Sequence, residues 1–238
     1  MVSHKNQYID KANVFIIMPA KDEGSRIGKV IKNVRGNGYD NVVVINDGSG
    51  DDTADVARSF GATVLTHSIN LGPGAATQTG ISYAVSQGAQ VIVTMDSDNQ
   101  HKACDIDVLV TTLIDQQLDI VIGSRFLNKE NKIPKQRIFY NKVGNWVTYM
   151  ITGLKVTDSQ SGMKAFSGDF ARQWELTCNG FEFCMEIIWN IQRHSAKYIE
   201  IPIKVTYSKE SMSKGQNLLS GFRMLGRVAR SFYLTSSR

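Results

Sequence analysis

Two carboxylates stand two positions apart in residues 95–101 (MDSDNQH), directly after an apolar run. Asp96, Asp98 and the amide of Gln100 offer the hard oxygen ligands that Mg²⁺ and Mn²⁺ prefer. Carboxylates this close repel each other in a cleft of low dielectric unless a cation or protons compensate. The spacing therefore predicts a metal site at these three residues, with an ordinary polar turn as the alternative. His101 is either a further ligand or a capping residue.

A second acidic loop, residues 46–53 (NDGSGDDT), follows another apolar run. Asp47 stands near its start, where an acidic residue of a nucleotide-binding fold accepts hydrogen bonds from a base or a ribose. A turn and a helix cap account for Asp51, Asp52 and Thr53. We therefore predict that Asp47 contacts the nucleoside of a bound nucleotide.

Glycines interrupt residues 70–76 (NLGPGAA) just before a predicted helix. Gly72 and Gly74 let the backbone approach a ligand closely, and a helix start presents free N–H groups to an anion. The spacing fits neither the dinucleotide fingerprint nor the Walker loop. We predict that Gly72 and Gly74 contact the donor of a transferred group, and a purely structural turn is the alternative.

Strands and helices alternate through the first half of the chain and determine where these loops lie. Apolar, Val/Ile-rich runs predict strands at residues 13–18, 41–45, 62–66, 90–95 and 119–122. Helices are predicted after Ser25, a candidate N-cap, after Asp51, and at residues 75–86 and 105–117. Strands of this composition are buried on both faces, which is typical of a parallel sheet covered by helices. We predict a doubly wound α/β domain with ligands at the carboxyl ends of its strands.

The second half of the chain is less regular. A basic loop at residues 125–137 leads into a predicted helix at residues 135–152. A polar turn, a helix at residues 182–193, a strand at residues 198–207 and a terminal amphipathic helix from about residue 216 follow. Because no repeat or Pro/Gly linker divides the chain, we predict one domain, residues 1–215, with a helical extension, residues 216–238.

The composition excludes several classes of protein. Apolar residues make up 42% and charged residues 21%, as in ordinary soluble globular proteins. No run approaches the ~18 apolar residues of a membrane span, and the first residues lack the apolar core of a secretory signal. Three cysteines without a CxxC pair favour a reducing compartment. The expected location is the cytoplasm.

Positive charge is concentrated at the C-terminal end. Residues 204–238 contain seven Lys/Arg and one Glu, a net charge of +6, whereas the whole chain has +5. Their predicted helix has an apolar stripe (Leu218, Phe222, Leu225, Ala229 and Phe232) and a basic stripe (Arg223, Arg227 and Arg230). Such a helix fits an anionic membrane interface at the cytoplasmic face, with residues 135–152 as a second contact. The alternatives are packing on the protein itself, a second subunit in a homo-oligomer, or a merely solvated helix.

Four loops, in order PAKDE (19–23), NDGSGDDT (46–53), NLGPGAA (70–76) and DSDNQH (96–101), resemble those of family-2 glycosyltransferases with the GT-A fold. The likeness is strongest to the branch that transfers mannose or glucose to dolichyl or polyprenyl phosphate. Further matches are GSR at 123–125, DSQSG at 158–162, GFEF at 180–183 and EIPI at 200–203. The resemblance covers roughly residues 14–207 and implies a mostly parallel GT-A sheet flanked by helices.

The resemblance also implies roles for individual residues. Those matching the nucleoside site of the donor are Pro19, Ala20, Glu23 and Asp47. Three residues match the ligands of a divalent metal, Mg²⁺ or Mn²⁺: Asp96, Asp98 and Gln100. In the family this metal binds the donor diphosphate. Arg125 matches a residue near the transferring and acceptor phosphates, with Arg137 as its partner. The sequence departs from the pattern at Lys21-Asp22, in place of Tyr-Asn, at Ser208, in place of Arg, and in having no membrane-spanning helices after the core.

These matches imply an inverting transferase that moves one sugar from a UDP- or GDP-linked donor by direct displacement. A hydroxyl acceptor needs a general base, for which the candidates are Asp158, Glu182 and Glu186. A phosphate acceptor is already ionised, so positioning by Arg125 and Arg137 suffices. We predict a polyprenyl phosphate as acceptor, with a sugar hydroxyl as the alternative. The predicted catalytic residues are Asp98, Arg125 and Asp158, and the predicted acceptor contacts are Arg125, Arg137 and Glu182.

Other classes of protein explain less of the sequence. A phosphatase of the haloacid-dehalogenase type needs its DxD after an early strand, and a nucleotidyltransferase needs a glycine-rich, basic first loop. A nucleic-acid binder leaves the aligned acidic loops unexplained, so no nucleic-acid partner is expected. The processive synthases have a Gln-x-x-Arg-Trp motif that is missing here, which favours transfer of a single sugar. A non-catalytic nucleotide-binding protein is the alternative of another class.

Overall fold

The computed structural model describes residues 10–206, which form a mixed sheet with helices on both faces. Its seven strands are β1 (Val14–Ala20), β2 (Asn41–Asp47), β3 (Thr63–His67), β4 (Val91–Thr94), β5 (Ile120–Ser124), β6 (Lys164–Ser167) and β7 (Tyr198–Pro202). Their order across the sheet is β3-β2-β1-β4-β6-β5-β7. All neighbouring pairs are parallel except those of β6, which runs antiparallel to β4 and β5.

The helices divide between the two faces of the sheet. They are α1 (Gly24–Gly36), α2 (Thr53–Ser59), α3 (Pro73–Ser86), α4 (Cys104–Asp115), α5 (Lys135–Thr152), α6 (Gly168–Ala171) and α7 (Phe183–Arg193). Apolar residues of α1, α2 and α4 form one core with the sheet, and those of α3, α6 and α7 form the other. The predicted α/β architecture, mostly parallel and covered on both faces, is confirmed.

The structure corrects the sequence-based prediction in two strands. Strand β6 was not predicted, because its four residues, KAFS, lack a Val/Ile run. The strand predicted at residues 198–207 ends earlier, at Pro202, whose ring removes a ladder donor. The following residues turn towards the loop after β4, where Val205 bridges to His101 and the Thr206 amide donates to the Gln100 carbonyl at 3.0 Å.

The start of α1 is also different from the prediction. Ser25 is not its cap: the helix begins at Gly24, and Glu23 occupies the N-cap position without a side-chain cap. The loop after β2 provides acceptors instead, since Thr53 Oγ1 accepts from the Glu23 amide at 2.8 Å and Asp51 from the Gly24 amide at 3.0 Å. The first two loops are therefore built as one unit.

One prediction concerns a part of the chain that the structure does not describe. The terminal helix predicted from residue 216 lies outside the described residues, and so do the contacts assigned to it. Within residues 10–206, no helix combines the length and apolar character that crossing a bilayer requires.

Candidate active site

The loops after β1 and β2 form a joined rim at the carboxyl edge of the sheet. Lys21 Nζ donates to the Gly48 carbonyl at 3.1 Å, and the Gly50 amide donates to Asp22 Oδ1 at 2.8 Å. The Gly50 hydrogen bond and the neighbouring Lys21 lower the pKa of Asp22 below its usual value. The departure from the family pattern at Lys21-Asp22 therefore links the two loops.

The residues predicted to hold the nucleoside lie on this rim. Pro19 is half-buried and Ala20 and Glu23 are buried. The Pro19 carbonyl accepts from Ser97 Oγ at 2.9 Å, which ties the first loop to the loop after β4. The structure thus brings this rim and the carboxylate pair of the β4 loop into one region.

Asp47 has a role that the sequence did not indicate. Its buried carboxylate accepts hydrogen bonds from the Leu71 and Gly72 amides, both at 2.8 Å, and lies 2.8 Å from His67 Nδ1. The other ring nitrogen of His67 lies 3.0 Å from Thr79 Oγ1. Both oxygens of Asp47 therefore hold the loop before α3, and the contact of Asp47 with the nucleoside stays a prediction. His67, at the end of β3, was missed.

Gly72 and Gly74 are likewise used inside the protein. The Gly72 amide donates to Asp47, and the Gly74 amide donates to the Asn179 carbonyl at 2.8 Å. A Cβ on Gly74 would lie 1.9 Å from the Cys178 carbonyl oxygen, and one on Gly72 2.4 Å from the Asn179 oxygen. Because these amides have protein acceptors, the geometry supports the structural turn, and the contact of Gly72 and Gly74 with the donor stays a prediction.

We expect Asp47→Asn to destabilise the protein. The amide presents a donor where the carboxylate accepts from two backbone N–H groups, and a buried unsatisfied group costs about 1–3 kcal/mol. Denaturant unfolding measures the change, with Asp40→Asn as control, since the Asp40 side chain is 74% exposed beside Arg35. Unchanged stability together with lost nucleotide binding would instead support a direct nucleoside contact.

The carboxylate pair after β4 has two unequal members. Asp96 is exposed, whereas Asp98 is half-buried. Burial, followed by the negative charge of Asp96, raises the pKa of Asp98 above its usual value. The Gln100 amide donates to Asp98 Oδ1 at 3.0 Å, and the Gln100 side chain contacts Asp98 Oδ2. His101 is buried, and its Nε2 lies 3.8 Å from Asp96 Oδ2.

This donor set fits a metal that is shared with a bound phosphate. Within the described residues, no group of three or more His, Cys, Asp or Glu side chains is arranged to hold an ion. Mg²⁺, however, is commonly bound by one or two carboxylates together with substrate phosphates and water. Asp96 and Asp98, with Gln100 beside them, offer that smaller set. No basic side chain forms an ion pair with Asp98 among residues 10–206, so a cation would relieve its repulsion with Asp96.

A turn formed by residues 158–162 supports Asp96 from the side. The Gly162 carbonyl accepts from Thr94 Oγ1 at 3.0 Å. A Cβ built on Gly162 would lie 2.3 Å from Asp96 Oδ1, so the backbone here is in direct contact with the carboxylate. A side chain at this position must displace Asp96.

We therefore expect Gly162→Ala to weaken metal-dependent donor binding by roughly tenfold or more, as losses of supporting groups around metal ligands do. Isothermal titration with a nucleotide sugar, with and without Mn²⁺, measures it. Gly36→Ala at the end of α1 is the control, since a Cβ there meets nothing within 4 Å. Equal donor affinities in the two variants would show that Gly162 does not position Asp96.

Arg125 and Asp158 form a buried ion pair beside this turn. Arg125 Nε and Nη2 each donate to a different oxygen of Asp158 at 2.7 Å, and the Arg125 amide donates at 3.0 Å. Asn141 Nδ2, from α5, donates to Asp158 Oδ1 at 2.9 Å. The Asp158 side chain is fully buried and the Arg125 side chain is 16% exposed. Asp158 therefore anchors Arg125, and its catalytic role stays a prediction.

The other candidate bases lie at the start of α7. Glu186 accepts from the Thr177 amide at 2.8 Å, from Thr177 Oγ1 at 2.6 Å and from the Cys178 amide at 2.9 Å. Glu182 and Glu186 are both buried, so neither belongs to a solvated helix face. Arg137, predicted to contact the acceptor, is half-buried in the first turn of α5.

Comparison with a family model identifies the family of the chain. Residues 15–181 match the model of glycosyl transferase family 2. The chain belongs to glycosyl transferase family 2. The predicted family is thereby confirmed, and the protein is a glycosyltransferase.

Curated relatives cover nearly the whole of this glycosyltransferase. An uncharacterized protein of Methanocaldococcus jannaschii is 37% identical over 224 residues, 92% of each chain. The UDP-N-acetylglucosamine--dolichyl-phosphate N-acetylglucosaminyltransferase of Methanococcus voltae is 31% identical over 238 residues, 90% of this chain and 94% of the relative. An undecaprenyl-phosphate mannosyltransferase of Micrococcus luteus is 27% identical over 190 residues, 76% of each chain.

Solved structures show the same fold. Glucosyl-3-phosphoglycerate synthase of Mycobacterium tuberculosis, crystallised with Mn²⁺ and UDP-glucose, superposes with a TM-score of 0.65. It shares 16% sequence identity and covers 91% of this glycosyltransferase and 76% of its own chain. The GT-A fold implied by the sequence resemblance is therefore confirmed.

Proposed function

We propose that this glycosyltransferase moves one sugar from a UDP- or GDP-linked donor to a polyprenyl phosphate, with inversion at the anomeric carbon, at the cytoplasmic face of a membrane. The observation on which the acceptor rests is that the candidate bases Asp158 and Glu186 already accept hydrogen bonds from the protein. Asp158 is bonded to Arg125 and Asn141, and Glu186 to Thr177 and Cys178. A hydroxyl acceptor must lose a proton to a base, whereas a phosphate is already ionised.

Two relatives support the acceptor by name, one as a dolichyl-phosphate and one as an undecaprenyl-phosphate sugar transferase. The metal has similar support, because the structural neighbour was crystallised with Mn²⁺ and a nucleotide sugar. Together with the carboxylate pair, these likenesses favour a divalent-metal-dependent reaction in this chain.

One edge of the sheet carries both the carboxylate pair and Arg125. Strands β4 and β5 run parallel and end at the same edge, and the start of β6 lies between them, since Lys164 is in register with both Thr94 and Ile122. The carboxylates follow β4 and Arg125 follows β5. This arrangement supports a role for the Arg125 guanidinium, which suits phosphate oxygens, near the carboxylate pair.

The residues divide the work of the reaction. Asp96 and Asp98, assisted by Gln100, would hold Mg²⁺ or Mn²⁺, which when bound stabilises negative charge on the departing nucleoside diphosphate. Asp158 fixes the orientation of Arg125, and we assign Arg125 and Arg137 to the acceptor phosphate. Holding the phosphate oxygen in line with the anomeric carbon lowers the barrier by proximity and orientation. The sugar–phosphate bond to the donor breaks as the bond to the acceptor oxygen forms.

The donor half of the proposal is tested by thermal shift with a panel of UDP-, GDP- and dTDP-sugars. A ligand that binds only the folded state raises the melting temperature, so the true donor raises it most. We expect this shift with Mn²⁺ and its loss on addition of EDTA. A shift that EDTA leaves unchanged would contradict the metal role, and no shift with any sugar nucleotide would contradict the donor class.

A further inference from the structure

Helix α5 has an outward face that is unusually apolar. Phe139 is 61% exposed, Trp146 62% and Met150 64%, and Val143 and Tyr149 are also exposed. Residues spaced three, four and seven apart lie on one side of a helix, so these five side chains form a continuous stripe. Exposed apolar patches larger than a few hundred Å² are rare on monomeric proteins and mark interaction sites.

The opposite face of α5 holds the acceptor side of the active site. Asn141 donates to Asp158, and Asn145 Nδ2 donates to the Thr157 carbonyl at 2.7 Å. The Ser159 amide donates in turn to Asn145 Oδ1 at 2.9 Å. A partner that contacts the outer face of α5 is therefore separated by the diameter of one helix from residues 158–162, the turn that anchors Arg125.

The charged residues within α5 and close to its ends in sequence are all basic. Residues 131–157 contain five basic residues (Lys132, Lys135, Arg137, Lys142 and Lys155) and no Asp or Glu. Lys135 and Lys142 are exposed and lie on the same side of α5 as Phe139 and Trp146. Aromatic and apolar side chains among lysines without acidic residues suit the headgroup region of an anionic bilayer.

We infer that the outer face of α5 binds an anionic lipid surface and so sets the acceptor site against the membrane. A second copy of the chain fits this face less well. In a two-fold dimer this face would meet its own copy, so its lysines would face a helix that has no acidic side chain. The link to acceptor delivery rests on the proposed function, whereas lipid binding itself is a separate property of the surface.

Sedimentation of the full-length protein with vesicles tests the inference. Vesicles of phosphatidylcholine with phosphatidylglycerol are compared with vesicles of phosphatidylcholine alone. We expect K135E/K142E to lower binding to the anionic vesicles by roughly tenfold or more. K29E/K32E, which changes the same charge on the exposed face of α1, is the matched control and is expected to retain more of the binding. Equal losses in both variants would show an effect of net charge alone and overturn the inference.

The apolar part of the surface has its own pair of variants. F139S/W146S is expected to lose vesicle binding, whereas V108S, on the exposed face of α4, retains it. Unchanged vesicle binding in F139S/W146S would overturn the inference. The inference would also be overturned if the unmodified protein were a dimer and F139S/W146S alone among the variants were a monomer. Loss of binding in R223E/R227E with none in the α5 variants would assign the contact to the C-terminal residues instead.

An activity comparison separates this inference from the proposed function. The α5 variants are expected to lose transfer to long-chain polyprenyl phosphate in vesicles while retaining it on a short-chain, water-soluble prenyl phosphate. Equal activities on the embedded acceptor would overturn the delivery role of α5. The unmodified protein could bind vesicles as expected and yet transfer sugar to neither prenyl phosphate. That result would contradict the proposed function but would be consistent with the lipid-binding surface.

Discussion

Replacing Asp98 with Asn is expected to abolish metal-dependent donor binding and at the same time to stabilise the ligand-free protein. The substitution removes one of two carboxylates that would hold the metal, whose contribution is several kcal/mol, so transfer falls by roughly a hundredfold or more. It also removes a half-buried negative charge that lies beside Asp96. Function and stability are thus opposed at this residue.

The pH dependence follows from the raised pKa of Asp98, which burial causes first and the charge of Asp96 second. The folded protein keeps this proton at pH values where the unfolded chain has lost it. The stability of the ligand-free protein therefore falls as the pH rises from the ordinary carboxyl range through the raised pKa. Metal binding needs the carboxylate, so metal affinity has the opposite trend and is lost on acidification earlier than for an unperturbed Asp.

Melting curves measure both the change in stability and the loss of metal binding. They are recorded for the unmodified protein and Asp98→Asn from acid to neutral pH, with and without Mn²⁺. We expect the variant to melt higher near neutral pH without metal and to show no shift with metal and donor. Asp115→Asn, on the last turn of α4, is a control of the same chemistry away from the site. A variant that melts lower than the unmodified protein and still binds donor would contradict both parts.

The second large effect is expected at Asp158. Asp158→Ala leaves Arg125 without its carboxylate in a largely buried site, and breaking such a pair costs about 3–5 kcal/mol. Asp169→Ala is the matched control, because Asp169 pairs with Arg172 at the same 2.7 Å but with its side chain 93% exposed. Exposed pairs contribute about 0–1 kcal/mol. Denaturant unfolding of the two variants makes the comparison.

A double variant separates the anchoring role from general stability. In R125M/D158L both charges are gone, and replacement of a buried pair by apolar residues recovers much of the lost stability. Transfer is expected to stay lost, because no guanidinium remains at the end of β5. Recovery of transfer together with stability would show that Arg125 does not act on the phosphates.

Much of the sheet could be predicted because its signals are local. Strands β1, β2 and β4 are runs of Val and Ile, and each predicted boundary lies within two residues of the observed one. Strand β6 had no such signal, since its place in the sheet depends on pairing with β4 and β5, distant in sequence. Helix periodicity identified α5, but the exposure of its apolar side depends on packing that no local pattern records.

The difference between local and long-range signals also applies to the candidate site. The carboxylate pair at Asp96 and Asp98 was evident because the two residues are close in sequence. The partners of the other site residues are remote: Asp158 meets Arg125 across 33 positions, and Asp47 meets Gly72 across 25. Spacing therefore identified Asp158 and Asp47 as polar residues near the site, and only the fold shows that their oxygens are engaged by the protein itself.

The acceptor is the central claim, and one comparison tests it most directly. The purified protein is given the donor, Mn²⁺ and either a prenyl phosphate or the prenol of the same chain length, and the lipid-linked sugar is quantified by mass spectrometry. The two acceptors differ in the phosphate group, which provides an attacking oxygen that is already ionised. We predict transfer to the phosphate and none to the alcohol, with inverted configuration in the product. Transfer to the prenol or to a sugar hydroxyl, with none to the phosphate, would contradict the account and require a general base at this site.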